Sequence, residues 1–286
     1  MEFSRRHPIV NLIYFIAVIL ISVFLMHPVL ITISMVAAFG YMLMLEGGKR
    51  AIKSLTVILP VSALAAVLNV VFNHRGVTIL AYFPNGNPIT MEALLYGAMA
   101  AAMIAAVIWW FVSFSEIMTA DKILCLFGNI IPAISLIFSM VLRFVPRLKK
   151  QLQAVYGIQK ALGTTTGKIK GISSVVSAVT SWAIEGSVET ADSMKARGFG
   201  TGKRTSYSVF SFTVRDLMEV IYILLLTAYI IVGKSCLQFE FYPKISYAEL
   251  TLYQISVFVA FFMISIMPLF IEGVEMIRWK YLRSKI

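Results

Sequence analysis

Residues 93–115 read ALLYGAMAAAMIAAVIWWFVSFS, an apolar run that contains no Asp, Glu, Lys or Arg. As a helix rising about 1.5 Å per residue, such a run crosses the roughly 30 Å hydrocarbon core of a bilayer. Apolar stretches of similar length predict further crossings at 9–26, 28–45, 54–72, 214–235 and 250–271. We therefore predict an all-α integral membrane protein with about six transmembrane helices.

The composition of the whole chain favours the same class. The 286 residues are 59% hydrophobic and 14% charged, and the mean hydropathy is +0.85, more apolar surface than one soluble domain of this length buries. The basic segment 1–7 is followed by no small-residue cleavage site, so we expect a retained first helix rather than a signal peptide. Cys125 and Cys236 lack a CxxC motif or clustered histidines, so we expect no disulfide framework, metal site or cofactor.

The distribution of basic residues predicts the orientation. With the N-terminus in the cytoplasm, six crossings leave only Arg75, Lys234 and Lys244 of the 25 Lys and Arg outside, as the positive-inside rule requires. A crossing by the apolar stretch 117–142 would move the basic residues after it outside, so we predict non-crossing or interfacial helices there. Both termini are then cytoplasmic, and lipid headgroups account for the net charge of +11 without a nucleic-acid partner.

The longest outer loop, residues 73–92, has the composition of a β-hairpin. The β-prone run Val77–Tyr82 precedes the turn-forming residues Pro84-Asn85-Gly86-Asn87-Pro88. A plain connector and a gate or contact loop both fit this pattern.

Residues 143–213 are the part of the chain that we expect to face water. Two long amphipathic helices are predicted, at about 147–162 and 172–197, ending at Gly163 and at Gly198. The apolar stripes that we expect to pack against each other are Leu148, Leu152, Val155, Ile158 and Leu162 in the first helix and Ile172, Val175, Val176, Val179 and Trp182 in the second.

Two short glycine motifs in this segment look like phosphate-binding loops. Residues 163–168 read GTTTGK and residues 198–203 read GFGTGK, but each has three residues between the outer glycines where a P-loop has four. Neither is preceded by a strand or followed by a Ser or Thr. The chain is therefore not expected to hydrolyse ATP, and we predict a non-catalytic protein.

Three runs in this segment carry a resemblance to a known family: Arg143-Phe144-Val145-Pro146-Arg147, Gln159-Lys160-Ala161-Leu162-Gly163 and Ala191-Asp192-Ser193-Met194-Lys195-Ala196-Arg197-Gly198-Phe199. Together with the flanking spans they resemble the transmembrane T component (EcfT) of energy-coupling factor (ECF) importers, which is related to the cobalt-transport CbiQ proteins. The resemblance runs over most of the chain.

The resemblance implies that two Arg-centred triplets, each ending a coupling helix, dock into grooves on two ATP-binding cassette ATPase subunits. Ala196, Arg197 and Gly198 match the second triplet. In the first triplet, Ala161-Leu162-Gly163, a leucine stands where the family has arginine, and Lys160 is the nearest cation. Either this end binds through apolar burial and Lys160, or the two ATPases are non-identical and one groove has changed.

The resemblance also implies a role and an organisation. The chain would transmit ATPase motion to a substrate-binding membrane S component, for vitamin or metal-ion uptake across the plasma membrane of a prokaryote. The expected regions are N-terminal transmembrane helices at 1–116, interfacial helices at 117–142, coupling helices at 143–213, and C-terminal transmembrane helices with a basic tail at 214–286.

The sequence gives less support to two other functions. A stand-alone secondary transporter is expected to carry charged groups near the bilayer centre, whereas the first four spans have none and Asp216 and Glu219 lie near one end of the fifth. An intramembrane hydrolase needs a catalytic set, but His7, His27 and His74 lie at span edges in separate loops.

Overall fold

The computed structural model of the chain describes residues 2–82, 86–128, 132–163, 168–202, 210–237, 239–243, 245–247 and 251–283. The turn residues Pro84 and Asn85, the loop residues 164–167 and the basic residues Lys203, Arg204, Lys244 and Lys285 lie outside this description. The protein is an all-α membrane protein, 82% helical, with five long helices that are apolar enough to cross a bilayer.

The described α-helices are α1 (Pro8–Phe24), α2 (Pro28–Glu46), α3 (Gly48–Phe72), α4 (Met91–Ile117), α5 (Ala120–Gly128), α6 (Pro132–Ala161), α7 (Lys168–Ala196), α8 (Val214–Val232) and α9 (Leu252–Arg283). Two antiparallel hairpins pair β1 (Ile79–Tyr82) with β2 (Pro88–Thr90), and β3 (Phe239–Glu240) with β4 (Ser246–Tyr247). The chain divides into a bundle unit, Met1–Thr119 with Phe210–Ile286, and an α5–α7 unit, Ala120–Val209.

Each of the six predicted crossings is a helix of the bundle unit. Helices α2, α3, α4, α8 and α9 have the length and hydropathy of membrane spans, while α1 has 17 residues, at the lower limit for crossing. Helix α3 is the most peripheral, with 11% of its apolar window buried against 44% for α2. Most of the α3 surface is therefore free to face lipid or another protein.

A His-Pro pair begins each of the first two helices. The ring Nδ1 of His7 accepts a hydrogen bond from the Ile9 N–H, and that of His27 accepts one from the Val29 N–H, each at 3.3 Å. Pro8 and Pro28 then occupy the first helical position, where a missing N–H costs nothing. The two imidazoles thus act as helix N-caps.

An aromatic cluster forms the core of the bundle unit. Phe3, Tyr14, Tyr41 and Trp110 are fully buried, and the Phe3 ring packs edge-to-face on Tyr14 with centroids 5.3 Å apart. The indole N–H of Trp110 donates to the Ser34 hydroxyl at 3.0 Å. Helices α1, α2 and α4 are therefore joined to the N-terminal segment through one packed centre.

Long-range contacts identify the two ends of the bundle unit. At one end Arg6 forms an ion pair with Glu219 at 3.0 Å, and the Glu272 carboxylate accepts hydrogen bonds from the Glu2 and Phe3 N–H groups at 3.2 and 3.3 Å. We call this the N-terminal end. At the opposite end the Asn73 amide donates to the Tyr242 hydroxyl at 2.9 Å, which joins the α3–α4 loop to the α8–α9 loop.

In the α5–α7 unit, α6 begins at Pro132, earlier than the predicted start near residue 147. The predicted division between 142 and 143 therefore falls inside one continuous helix, with Pro146 in its interior. Of the two predicted apolar stripes, Val175 and Val179 are buried, whereas Ile158, Leu162, Ile172 and Val176 are at least half exposed. Periodicity placed the stripes on the right helices but overestimated how much of each the partner helix covers.

Candidate functional site

The C-terminus of α7 presents Arg197 on a defined helix cap. The Phe199 N–H donates to the Met194 carbonyl at 3.0 Å, and the Gly198 N–H donates to the Lys195 carbonyl at 2.9 Å. Gly198 adopts the left-handed conformation, with φ of +81°. This Schellman arrangement satisfies the last carbonyls of α7 and holds the backbone of Arg197 between Ala196, the last helical residue, and Gly198. The Arg197 side chain is exposed.

The C-terminus of α6 has the same glycine position and one of the same two hydrogen bonds. The Gly163 N–H donates to the Lys160 carbonyl at 3.3 Å, Gly163 has a φ of +67°, and Ala161 is the last helical residue. Both ends therefore have the sequence Lys-Ala-X-Gly with a left-handed glycine, and Leu162 occupies the position that Arg197 has in α7. The Leu162 side chain is 70% exposed, so an apolar side chain faces away from the protein at this cap.

The two caps lie far apart because α6 and α7 pack antiparallel. The Gln159 amide donates to the Ser174 hydroxyl at 3.0 Å, near the end of α6 and the beginning of α7. Toward the other end, the Phe144 and Trp182 rings stack with an interplanar angle of 14° and centroids 6.2 Å apart. At about 1.5 Å per helical residue, the α7 rise from Ser174 to Arg197 separates the two caps by roughly 35 Å.

Three arginines line one groove beside the α7 cap. The groove, of about 950 Å³, lies between the N-terminal half of α6 and the C-terminal half of α7, and its lining includes Arg143, Arg147 and Arg197. Its apolar wall is formed by Leu136, Met140, Val141, Phe144 and Trp182. The guanidinium of Arg147 lies 5.2 Å from the centroid of the Trp182 ring, a cation–π contact that fixes it at the groove. We refer to this surface as the three-arginine groove.

The lining of the three-arginine groove carries more basic than acidic side chains. Among the described residues, Arg143, Arg147 and Arg197 form no ion pair, and Glu189 is the acidic residue in the lining. Gathering guanidinium groups in a confined space raises the local positive potential, which an anionic partner lowers. Each guanidinium also offers a planar fork of donors suited to a carboxylate. The arrangement therefore suits an acidic protein segment.

Sequence reasoning identified Arg197 but missed its two neighbours in the groove. It placed both in the family run Arg143-Phe144-Val145-Pro146-Arg147, without assigning either to the docking site. The predicted packing of the two apolar stripes was the available signal, because consecutive helices joined by a short loop pack antiparallel and bring the start of the first beside the end of the second.

A second groove between α6 and α7 is almost wholly apolar. Its volume is about 550 Å³, and its lining includes Leu148, Leu152, Val176, Ile184 and Val188. Ile184 and Val188 are 62% and 57% exposed. Exposed apolar surface of this kind requires lipid or an apolar partner surface.

Glycine-to-alanine substitutions at two positions of this unit are expected to change helix stability in opposite directions. Gly198 requires a left-handed backbone, so Gly198→Ala is expected to destabilise the α7 cap by about 1 kcal/mol. Gly157 lies inside α6 with open space around it, so Gly157→Ala is expected to stabilise α6 by about 0.5–1 kcal/mol. Hydrogen exchange measures both changes. The amides at positions 198 and 199 should exchange about fivefold faster in the first variant, and the amides of α6 should exchange more slowly in the second. Equal responses would contradict the cap assignment.

Among the described residues, no group of three or more His, Cys, Asp or Glu side chains has a geometry that could hold a metal ion. Neither the comparison with protein-family models nor that with curated proteins found a match to this chain.

Proposed function

We propose that the chain is the transmembrane coupling subunit of an ECF-type importer. In this proposal two ATP-binding cassette ATPases bind the two helix caps, Ala196-Arg197-Gly198 at the end of α7 and Lys160-Ala161-Leu162-Gly163 at the end of α6. A substrate-binding S component is then moved for vitamin or metal-ion uptake. The chain resides in the plasma membrane of a prokaryote with both termini cytoplasmic. The observation that carries the proposal is the pair of glycine-capped helix ends, roughly 35 Å apart on one packed helix pair, one of which presents Arg197 in the three-arginine groove.

The mechanism follows from the packing of α6 against α7. Because Val175 and Val179 are buried and Phe144 stacks on Trp182, the two helices resist sliding past each other. A change in the distance or angle between two ATPases attached at the caps therefore reorients the helix pair instead of being absorbed locally. ATP hydrolysis belongs to the partner subunits in this proposal, and the chain supplies the mechanical link.

Four acidic side chains of the spans support a coupling role over a stand-alone secondary transporter. Asp216 takes part in the Thr213 capping box, Glu219 pairs with Arg6, and Glu272 binds the backbone of Glu2 and Phe3. At the opposite end, Glu92 binds Thr78. These carboxylates thus hold the ends of the bundle unit together, whereas transport coupling needs charges near the midplane.

Co-purification tests the proposal. A tagged chain, expressed at its native level and extracted in mild detergent, is expected to bring down ATP-binding cassette subunits and a small membrane protein, identified by mass spectrometry. The pure chain alone in liposomes is expected to accumulate no substrate. Substrate accumulation by the pure chain, without ATP or partners, would contradict the proposal and favour the secondary transporter.

The α6 cap predicts an apolar ATPase contact. If Leu162 is buried on docking, Leu162→Asp removes about 1.5–3 kcal/mol of apolar burial and should weaken one ATPase attachment at least about tenfold. Tyr156→Asp is a matched control, because Tyr156 is 48% exposed on another face of α6 and should leave binding unchanged. Affinity measured in detergent with each purified ATPase distinguishes them. Normal binding by the Leu162 variant would mean that this cap does not dock through its leucine.

A further inference from the structure

The β1–β2 hairpin connects two membrane spans at the end of the bundle unit opposite the N-terminal segment. Helix α3 ends at Phe72, and α4 begins at Met91, directly after β2. Both helices have the length and hydropathy of bilayer crossings, so the hairpin is held close to the boundary between hydrocarbon and water. Its depth is therefore set by the spans on both sides.

Hydrogen bonds fix the hairpin against the beginning of α4. The Glu92 carboxylate accepts from the Thr78 N–H at 3.2 Å and from the Thr78 hydroxyl at 2.8 Å. The Thr90 hydroxyl donates to the Arg75 carbonyl at 3.0 Å. A Cβ on Gly76, whose φ is +149°, would lie 2.6 Å from the Glu92 carboxylate, so the chain passes too close for any other residue. Residues 75–78, which lead into β1, are thus held against the beginning of α4.

Four side chains of the first arm of the hairpin are large, apolar and exposed. Val77, Ile79, Leu80 and Tyr82 are 67%, 48%, 55% and 66% exposed. Phe72, the last residue of α3, is 78% exposed. The apolar surface of the hairpin therefore continues along the chain from the exposed apolar surface of α3, the least buried of the long apolar helices.

We infer that the β1–β2 hairpin is a membrane anchor whose apolar side chains insert into the headgroup boundary of the leaflet at this end of the bundle unit. Two observations favour lipid as the occupant: the apolar surface is continuous with a membrane span, and tyrosine and arginine side chains, here Tyr82 and Arg75, are typical of the lipid interface. The hairpin cannot enter the hydrocarbon itself, because the outer edge of β1 carries backbone N–H and C=O groups that need water or headgroups.

Spin-label accessibility tests the inference on the full chain. The two cysteines, Cys125 and Cys236, are replaced by serine, and single cysteines are introduced at residues 77, 80 and 82 for nitroxide labelling. The protein is reconstituted in vesicles of phosphatidylethanolamine and phosphatidylglycerol. Collision rates are measured with oxygen, which partitions into lipid, and with a neutral nickel chelate, which stays in water. An unchanged size-exclusion profile shows that each variant is folded.

Two further labels provide matched references. Leu64→Cys lies on the exposed face of α3 and reports hydrocarbon, and Glu240→Cys is exposed on β3, in the other hairpin. The oxygen-to-nickel ratio at residues 77, 80 and 82 is expected to exceed that at 240 several-fold and to stay below that at 64, because the headgroup boundary lies between water and hydrocarbon. Ratios equal to that at 240 would place the hairpin in water and overturn the inference. Low collision rates with both reagents would mean that a protein covers it, which would also overturn the inference.

Discussion

Replacing Arg197 with glutamate is expected to lower the affinity of the chain for one ATPase at least about 30-fold. Arg197 lines the three-arginine groove and has no ion-pair partner among the described residues, so on docking it is free to take a carboxylate of the partner. Removing one member of a buried, hydrogen-bonded charge pair costs about 2 kcal/mol or more, and a reversed charge adds repulsion. Binding of each purified ATPase to the detergent-solubilised chain measures the loss, and transport in reconstituted vesicles should fall with it.

Two variants of the same turn control this prediction. Lys195→Glu makes the same change of charge two residues earlier, but Lys195 does not line the groove, so only a small, salt-sensitive loss is expected. Arg197→Lys keeps the charge and removes the planar fork, so an intermediate loss is expected. If Lys195→Glu and Arg197→Glu weakened binding equally, general charge and not the cap geometry would govern the attachment. Undiminished binding by Arg197→Glu would remove the basis of the proposed function.

The membrane helices could be predicted from sequence because the bilayer leaves few alternatives. A backbone inside hydrocarbon must satisfy its own hydrogen bonds, so an apolar run of sufficient length becomes a helix. The predicted crossing at 93–115 lies within α4, Met91–Ile117, and the predicted crossing at 28–45 lies within α2, Pro28–Glu46. The ends of α2 could also be predicted, because His27-Pro28 is a local signal of a helix start and Gly47 of a helix stop.

Only the local structure of the candidate site, namely the two helix ends, could be predicted from the sequence. Glycines 163 and 198 mark their helix ends in the sequence, and both adopt the expected left-handed conformation. The grouping of Arg143 and Arg147 with Arg197 depends on the register of α6 against α7, which is set by contacts such as Phe144 with Trp182. Such a register is set by side-chain packing between the two helices, so the periodicity of either helix alone does not predict it.

The structural role of the N-terminal segment could not be predicted from its composition. Residues 1–7 were interpreted as a polar, basic flank of the first span, and Arg5 and Arg6 were counted only for orientation. In the structure Phe3 is part of the core, Arg6 pairs with Glu219, and the N–H groups of Glu2 and Phe3 bind Glu272. One aromatic residue among polar neighbours gives no periodicity, so only its tertiary contacts reveal it.

Phe3→Ala is accordingly expected to destabilise the bundle unit by about 3–5 kcal/mol, the usual cost of removing a buried aromatic ring and leaving a cavity. The ring packs against Tyr14, Phe15 and Tyr41, with centroid distances of 5.3, 6.5 and 6.2 Å, and these rigid neighbours close poorly around a void. Thermal or denaturant-induced unfolding in detergent micelles, followed by near-ultraviolet circular dichroism, measures the change.

The same substitution at Phe24 isolates the effect of burial. Phe24 ends α1 and is 71% exposed, so Phe24→Ala removes the same atoms without opening a core cavity and should cost less than about 0.5 kcal/mol. The difference between the two variants then reports the packing of the N-terminal segment alone. Equal, small losses would mean that residues 2–7 are detached from the bundle in the membrane protein, and that the hydrogen bonds to Glu272 do not hold them there.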